Sequence, residues 1–303
     1  MASASTRTTV DVDGRQLSVS NLDKVLYPET GFTKGEVIDY YRSVAPTMLT
    51  HLAGRCVTFR RFPNGVDGTS FFEKRCPKHR PEWVEVALGP GDSGGAIDYC
   101  VLDDTPALVW AANLAALELH TPMARSADIE SPAMVVFDLD PGAGAGMTEC
   151  AEVAMGIHGA LAGLDLELVA KTSGSKGLQL YLPLNTPTTH EHASEFALAL
   201  AQLMEKHHRE LVVSNMSKEL RKGKVLIDWS QNSRHKTTIC AYSLRARPTP
   251  TVSTPVTWDE VEAASGGAPL SFTAPEVLAR IEAHGDLFAA AATLEQHLPG
   301  PRA

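Results

Sequence analysis

The sequence predicts a mixed α/β (α+β) protein, with mixed or antiparallel central sheets flanked by helices. Two observations carry that expectation. Strand-like and helix-like segments alternate irregularly, and several strand pairs are joined by short loops rather than by helices. A chain of 303 residues can bury a sizeable core.

The elements follow in order. Residues 15–20 read as a strand. Thr33 suits an N-cap, with Glu36 three residues on as in a capping box. Val37, Ile38, Tyr41, Val44 and Met48 then recur at helical spacing. "RCVTFRRF" reads as a strand with "PNGVDG" as its turn, and "SFFEKRCPKHRPEWVEVAL" as strand, basic loop, strand. "DDTPALVWAANLAALELH" reads as one helix, with acids at its start and Pro106 near its first turn, ending at His120. "VVFDLDPG" reads as a strand stopped by Pro141-Gly142, and a small-residue helix runs on to about Gly163. "LELVAKTSGSKGLQLYLPL" reads as strand, loop, strand, and "HEHASEFALALAQLMEKHHREL" as a long helix. "GKVLIDWSQN" and "HKTTICAYSLRARP" read as two further strands. After Pro248 a Pro/Thr-rich linker and two short helices, about 257–264 and 274–289, are expected. The expectation is one catalytic domain over 1–303, with a core of about 15–250 and a helical extension of about 251–303.

Composition narrows the function classes. No apolar run is long enough to span a membrane, and the first residues lack the apolar segment of a signal peptide. Five cysteines, odd in number and scattered, argue against a disulfide framework. Cys76 and His79 share a C-x-x-H spacing without a second pair, so no structural zinc is expected. The chain therefore reads as cytoplasmic. Its net charge is −9, but the charge is uneven. Arg55 to Arg80 holds seven Lys/Arg against two acids, and Asn215 to Arg247 eight against two. Those +5 and +6 segments leave −20 for the remainder. Two basic segments in an acidic chain suit a local anionic ligand as well as they suit solvated loops.

The chemistry centres on "VVFDLDPG". In a strand Asp138 and Asp140 share a face, about 7 Å apart, and repel unless a cation or proton sits between them. Mg²⁺ or Mn²⁺ would resolve that repulsion. Two enzyme classes use such a pair. In haloacid-dehalogenase-like phosphatases Asp138 would be a nucleophile, although Pro141 departs from that motif. In nucleotidyl transfer a third carboxylate joins the pair to hold two metals. Asp228, ending the strand "VLID", can be that third ligand. Between them "SGSKG" offers backbone N–H groups, hydroxyls and one lysine to a triphosphate, without the spacing of a Walker A loop.

VFDLDPG, SGSKGL, DWSQN and YSLRAR, with NLDKVLYP near the start, resemble the primase-polymerase domain of the bacterial DNA ligase D type. That domain belongs to the archaeo-eukaryotic primase superfamily. The likeness runs from about residue 15 to 290, and five segments occur in the right order. Within the 303 residues there is no ligase or nuclease domain, so a stand-alone member is expected. The resemblance implies that Asp138, Asp140 and Asp228 bind two divalent ions, Mn²⁺ or Mg²⁺. It implies that Ser173, Lys176 and Gly177 hold the triphosphate, with Lys236 and Arg245 helping, and that Arg60 and His120 stand near the incoming nucleotide. Asn21, Lys24 and Lys34 match residues that grip a 5′-phosphate across a gap. Phe71 and Phe72 match an aromatic pair that stacks on template bases, and strand alternation puts at least one of them outward. Arg221 would approach the template or primer end. Gln179 stands where the family commonly has histidine; it can donate to a phosphate oxygen but cannot become cationic. The segment between His120 and Asp138 is short for the family. The implied function is template-dependent extension of a DNA primer, preferring ribonucleotides and manganese, with NTP or dNTP as substrate. Short gaps with a downstream 5′-phosphate would be filled in DNA repair, including non-homologous end joining. Implied partners are gapped or broken DNA, a separate ligase and an end-binding protein, near the nucleoid and away from membranes. A phosphatase and a non-catalytic end-binding module are the alternatives.

Overall fold

The computed structural model describes residues 7–91 and 94–300. Two sheets face each other, and each is backed by helices. The larger has six strands in the order Val212–Val213, Val225–Asp228, Met134–Pro141, Leu178–Pro183, Val169–Thr172 and Pro255–Val256. Every pairing in it is antiparallel except the first, which is parallel. The smaller has four antiparallel strands in the order Thr238–Ile239, Ala116–Thr121, Thr58–Arg61 and Phe71–Glu73. This is the mixed α/β architecture expected from the sequence.

Alternation decides which residues reach the space between the sheets. Val135, Phe137 and Leu139 pack with Leu178, Leu180, Val225 and Ile227 into one apolar cluster. The helices Met147–Ala162, His190–His207 and Trp258–Ser265 cover that cluster. The intervening residues Asp138, Asp140, Gln179 and Asp228 therefore point the other way, toward the smaller sheet. On that sheet Phe59, Leu117 and Leu119 join a second cluster with the helices Lys34–Leu52 and Thr105–Asn113. Arg60, Glu118 and His120 are left facing the larger sheet.

Local chemistry fixes these elements. Thr33 and Glu36 form the expected capping box on Lys34–Leu52. That helix then pins the smaller sheet, and the turn that follows its Thr238–Ile239 strand, with two buried phenols. Tyr41 Oη donates to Leu117 O at 2.7 Å, and Tyr40 Oη to Tyr242 O at 2.7 Å. Asn232, from the DWSQN segment, uses its amide as a substitute strand. It accepts from Val136 N and donates to Val136 O, both at 2.8 Å.

Four sequence expectations change. The helix from Asp104 stops at Asn113, and His120 lies on the strand Ala116–Thr121. Ala115 turns the chain with φ +56°. Ala/Leu propensity favoured a continued helix; pairing with Thr58–Arg61 overrode it. The segment after Pro248 is no linker, because Val252 to Val256 are buried and Pro255–Val256 closes one edge of the six-stranded sheet. The second of the two short helices ends early, at His284, where Gly285 takes φ +70°. Finally, Cys76 and Cys100 form a disulfide. A hydrogen bond from Cys76 N to Asp98 O at 2.8 Å brings the two segments together, a contact that spacing does not reveal. Cys56, Cys150 and Cys240 are free and buried. Among the described residues no helix is long and apolar enough to cross a membrane.

Candidate active site

Four residues stand side by side across four neighbouring strands of the larger sheet. Lys171 lies opposite Gln179, Gln179 opposite Asp138, and Asp138 opposite Asp228. Asp140 is two residues along from Asp138 on the same face. Asp138, Asp140 and Asp228 each offer a carboxylate oxygen, and these oxygens lie within 4.8 Å of one another. Asp228 is held by Ser230 N, Ser230 Oγ and Gln231 Nε2 at 3.0, 2.6 and 2.8 Å. Asp138 receives Gln179 Nε2 at 3.1 Å. Among the described residues no protein group donates to Asp140. Burial, reinforced by the charge on Asp140, pushes the Asp138 carboxyl up to about 7. Asp140, the most exposed of the three, is also raised, by the protein packed around it and then by Asp228. Three clustered hard oxygen donors with unmet negative charge fit Mg²⁺ or Mn²⁺.

A loop faces the carboxylates. Ser173 Oγ accepts from the backbone N–H groups of Ser175 and Gly177, both at 3.2 Å, which closes the loop on itself. Gly177 is required by close approach: a Cβ there would stand 2.0 Å from Leu139 O. The turn after Asp140 is tied to the Arg221 loop by Gly142 N to Lys224 O and Gly223 N to Ala143 O, each 2.8 Å. A Cβ on Gly142 would meet Arg221 O at 1.7 Å. The cavity so enclosed measures about 380 Å³ and is lined by Asp138, Asp140, Ser173, Lys176, Gly177, Gln179, Arg221, Arg245 and His120, among others.

The smaller sheet contributes its own polar row. Phe72 lies opposite Arg60, and Arg60 opposite Glu118. Glu118 is fully buried and accepts four hydrogen bonds. Its donors are Arg245 Nε at 3.2 Å, Ala246 N at 3.1 Å, His120 Nε2 at 3.1 Å and Arg60 Nη1 at 3.4 Å. Burial alone would raise this carboxyl. The His120 hydrogen bond and the Arg245 charge outweigh it and hold Glu118 down, at about 2. Burial lowers His120 against the pull of Glu118, so the ring is neutral at pH 7. It donates from Nε2 and keeps Nδ1 as an acceptor. Arg245 also donates to Ser173 O at 2.7 Å, which bridges the smaller sheet to the loop of the larger.

The expected site residues fall into three groups. Asp138, Asp140, Asp228, His120, Ser173, Lys176, Gly177, Gln179, Arg221 and Arg245 meet around one cavity. Arg60 is outside its lining but shares Glu118 with His120 and Arg245, and its guanidinium lies over the ring of Phe72 at 5.3 Å. Phe71 and Phe72 are both exposed, by 44% and 59%, on the edge strand of the smaller sheet, and Phe72 packs edge-on against His120. Asn21, Lys24 and Lys34 gather outside the cavity lining, where Lys24 N donates to Asn21 O at 3.0 Å. Lys34 N donates to Lys24 O at 2.8 Å. Lys34 Nζ is buried and donates to Ser20 O at 2.7 Å, while Lys24 is exposed and reaches Pro63 O at 2.6 Å. Burial, and then the charges of Lys24 and Arg61, lower Lys34 to about 8. Lys236 is exposed beside a separate small cavity near Cys56 and Arg125. Sequence reasoning missed Glu118, Lys171 and Gln231. Glu118 was legible only once "ALELHT" is read with a period of two, which puts it on the face of His120.

Comparison with known proteins decides between the enzyme classes. The family "LigD, primase-polymerase domain" matches residues 33–288. The chain belongs to the LigD primase-polymerase family. It is 46% identical over 276 residues to the multifunctional non-homologous end joining protein LigD of Mycolicibacterium smegmatis, covering 90% of this chain and 36% of that protein. The bifunctional LigD of Bacillus subtilis is 31% identical over 89% of this chain and 43% of its own length. This chain thus spans a good third of the length of these curated relatives. Among solved structures, the polymerase domain of Mycobacterium tuberculosis Ligase D in complex with DNA superposes with a TM-score of 0.87. It is 43% identical and covers 92% of this chain and 99% of that one. LigD primase-polymerase domains are nucleotidyltransferases acting on DNA, in DNA repair. The phosphatase alternative is thereby overturned.

Proposed function

We propose that the chain extends a DNA primer on a template, adding ribonucleotides in preference to deoxyribonucleotides. In this reading it fills short gaps that carry a downstream 5′-phosphate, in non-homologous end joining. The observation that supports it most is the meeting of three carboxylates, a closed Ser-Gly-Lys loop and two arginines around one cavity. Asp138, Asp140 and Asp228 would hold two divalent ions, with Mn²⁺ preferred. When bound, such ions lower the pKa of an attacking hydroxyl and neutralise charge on a leaving pyrophosphate. The protein's part is placement. Lys176 faces the triphosphate from the closed Ser173–Gly177 loop, with Lys236 approaching from outside the cavity. Arg245 is locked between Glu118 and Ser173, so its charge is presented without reorganisation. His120 offers Nδ1 as an acceptor to the sugar, and Arg60 flanks the nucleotide. Phe71 and Phe72 supply an exposed stacking surface for template bases. Arg221 borders the primer end, and Asn21, Lys24 and Lys34 receive the 5′-phosphate. A separate ligase and an end-binding protein complete the set of partners, and the setting is cytoplasmic, at the nucleoid.

Primer extension on a gapped duplex, with NTPs and with dNTPs, each in Mg²⁺ and in Mn²⁺, tests this reading. Extension is expected, fastest with NTPs and Mn²⁺. Tight binding of the gapped duplex with no extension in any of the four conditions would make the chain an end-binding module instead.

A further inference from the structure

Gln179 was expected to serve the triphosphate, yet both ends of its amide are engaged within the protein. The side chain is 4% exposed. Its Nε2 donates to Asp138 Oδ1 at 3.1 Å. Its Oε1 accepts a short hydrogen bond from Lys171 Nζ, and Tyr181 Oη lies 3.2 Å away on the same oxygen. Lys171 is 1% exposed and has no carboxylate partner among the described residues. Its other hydrogen bond goes to Ser253 Oγ at 2.7 Å, and its Nζ lies 5.3 Å from the centre of the Tyr181 ring. Ser253 Oγ itself donates to Thr172 O at 2.9 Å, so it meets Lys171 as an acceptor.

These contacts fix which way the amide faces. Turned over, Gln179 would set its NH₂ against the Lys171 protons and its oxygen against the Asp138 carboxylate. Both contacts would be repulsive. A long buried side chain that makes no ion pair but sets the direction of one amide is doing something other than holding the sheet together.

We propose that Lys171 and Gln179 are a positioning pair for Asp138, which aims one carboxylate oxygen into the three-carboxylate cluster, and that Gln179 does not contact the triphosphate. The pair is assembled from three segments: Lys171 on Val169–Thr172, Gln179 on Leu178–Pro183, and Ser253 on the stretch that enters the sheet edge at Pro255. Through Ser253 the buried segment after Pro248 makes a direct contact with the pair. This inference rests on the nucleotidyl-transfer reading of the cavity and deepens it.

The test measures Mn²⁺ binding to the full chain by the free-ion EPR signal, then KM for a ribonucleoside triphosphate at saturating Mn²⁺ on a gapped duplex. Lys171→Met and Gln179→Met are each expected to weaken Mn²⁺ binding by about 10- to 100-fold, the usual effect of removing a group that orients a metal ligand. The double variant is expected to be no weaker than the weaker single, because both break one chain of contacts. KM is expected to stay within about twofold, since a triphosphate contact would move KM first. Tyr181→Phe keeps the ring and removes the second donor, together with the phenol's 2.9 Å bond to Thr238 Oγ1; it is expected to give a smaller loss in the same direction, and it serves if Lys171→Met lowers the unfolding midpoint. An unchanged Mn²⁺ affinity in Gln179→Met with KM raised about tenfold would overturn the proposal, as would additive losses in the double variant. A wild-type chain that neither binds Mn²⁺ nor extends the primer would remove the parent reading as well. A wild type that does both, beside variants that bind Mn²⁺ normally, would remove this inference alone.

Discussion

Glu118 and Asp138 are carboxylates on facing sheets, Glu118 buried and Asp138 half-buried at the cavity, and they are surrounded in opposite ways. Glu118 has four protein donors and two guanidinium groups, and it is held ionised. Asp138 has one neutral amide and two carboxylate neighbours, and it is pushed toward protonation. The difference separates a carboxylate that organises other side chains from one that lacks its counter-charge. A deficit of cations inside a cavity is what a metal cradle looks like from the protein side.

Substitutions should split along that line. The largest effect is expected on catalysis: Asp138→Asn should cut primer extension by about 10³-fold or more, several kcal/mol of barrier, while the fold stays intact. Circular dichroism with extension rates checks both halves. Glu118→Ala should do the reverse to stability, since it strands the Arg245 and Arg60 charges; a loss of roughly 3 kcal/mol is expected in urea unfolding. Gly177→Ala forces a methyl toward Leu139 O, and a cost of about 1–3 kcal/mol with a raised KM for nucleotide is expected. The smallest effect belongs to the exposed Lys24. Lys24→Ala should reduce the preference for a 5′-phosphate over a 5′-hydroxyl gap by about five- to tenfold, near 1 kcal/mol. Equal weakening of both substrates would reject a phosphate contact.

The two carboxylates also give opposite pH signatures. With a folded pKa below the ordinary 4.5, Glu118 stabilises the fold above that pH, and the contribution is lost as pH falls toward about 2. With a folded pKa raised from 3.8 to about 7, the contribution of Asp138 is fully present below 3.8 and lost as pH rises through 7. Metal-free protein should therefore lose stability from pH 5 to pH 8 through Asp138, and Mn²⁺ should remove that slope by taking the place of the proton.

Much of the site could be read from residue order. Asp138 and Asp140 announced themselves because a strand with one apolar face ended in charge, and Asp228 repeated the pattern. Glu118 could not be read the same way, because the Ala/Leu-rich stretch before it has no glycine or proline to stop a helix. Its strand exists through pairing with Thr58–Arg61, a contact about sixty residues away in sequence. Lys171 was hidden for a related reason. Its meaning depends on register, which sets it opposite Gln179, and on Ser253 arriving from within a Pro/Thr-rich stretch that resembles a linker. The Cys76–Cys100 link was invisible for the same reason: only the contact of Cys76 N with Asp98 O in the folded chain brings the two together.

The most direct test of this contrast is the thermal unfolding midpoint of wild type, Asp138→Asn and Glu118→Ala at pH 8, without metal and with Mn²⁺. Asp138→Asn should match or exceed wild type without metal and lose most of the Mn²⁺-induced rise. Glu118→Ala should unfold several degrees lower yet keep that rise. An Asp138→Asn protein that is destabilised without metal, and that Mn²⁺ stabilises as fully as wild type, would contradict the account.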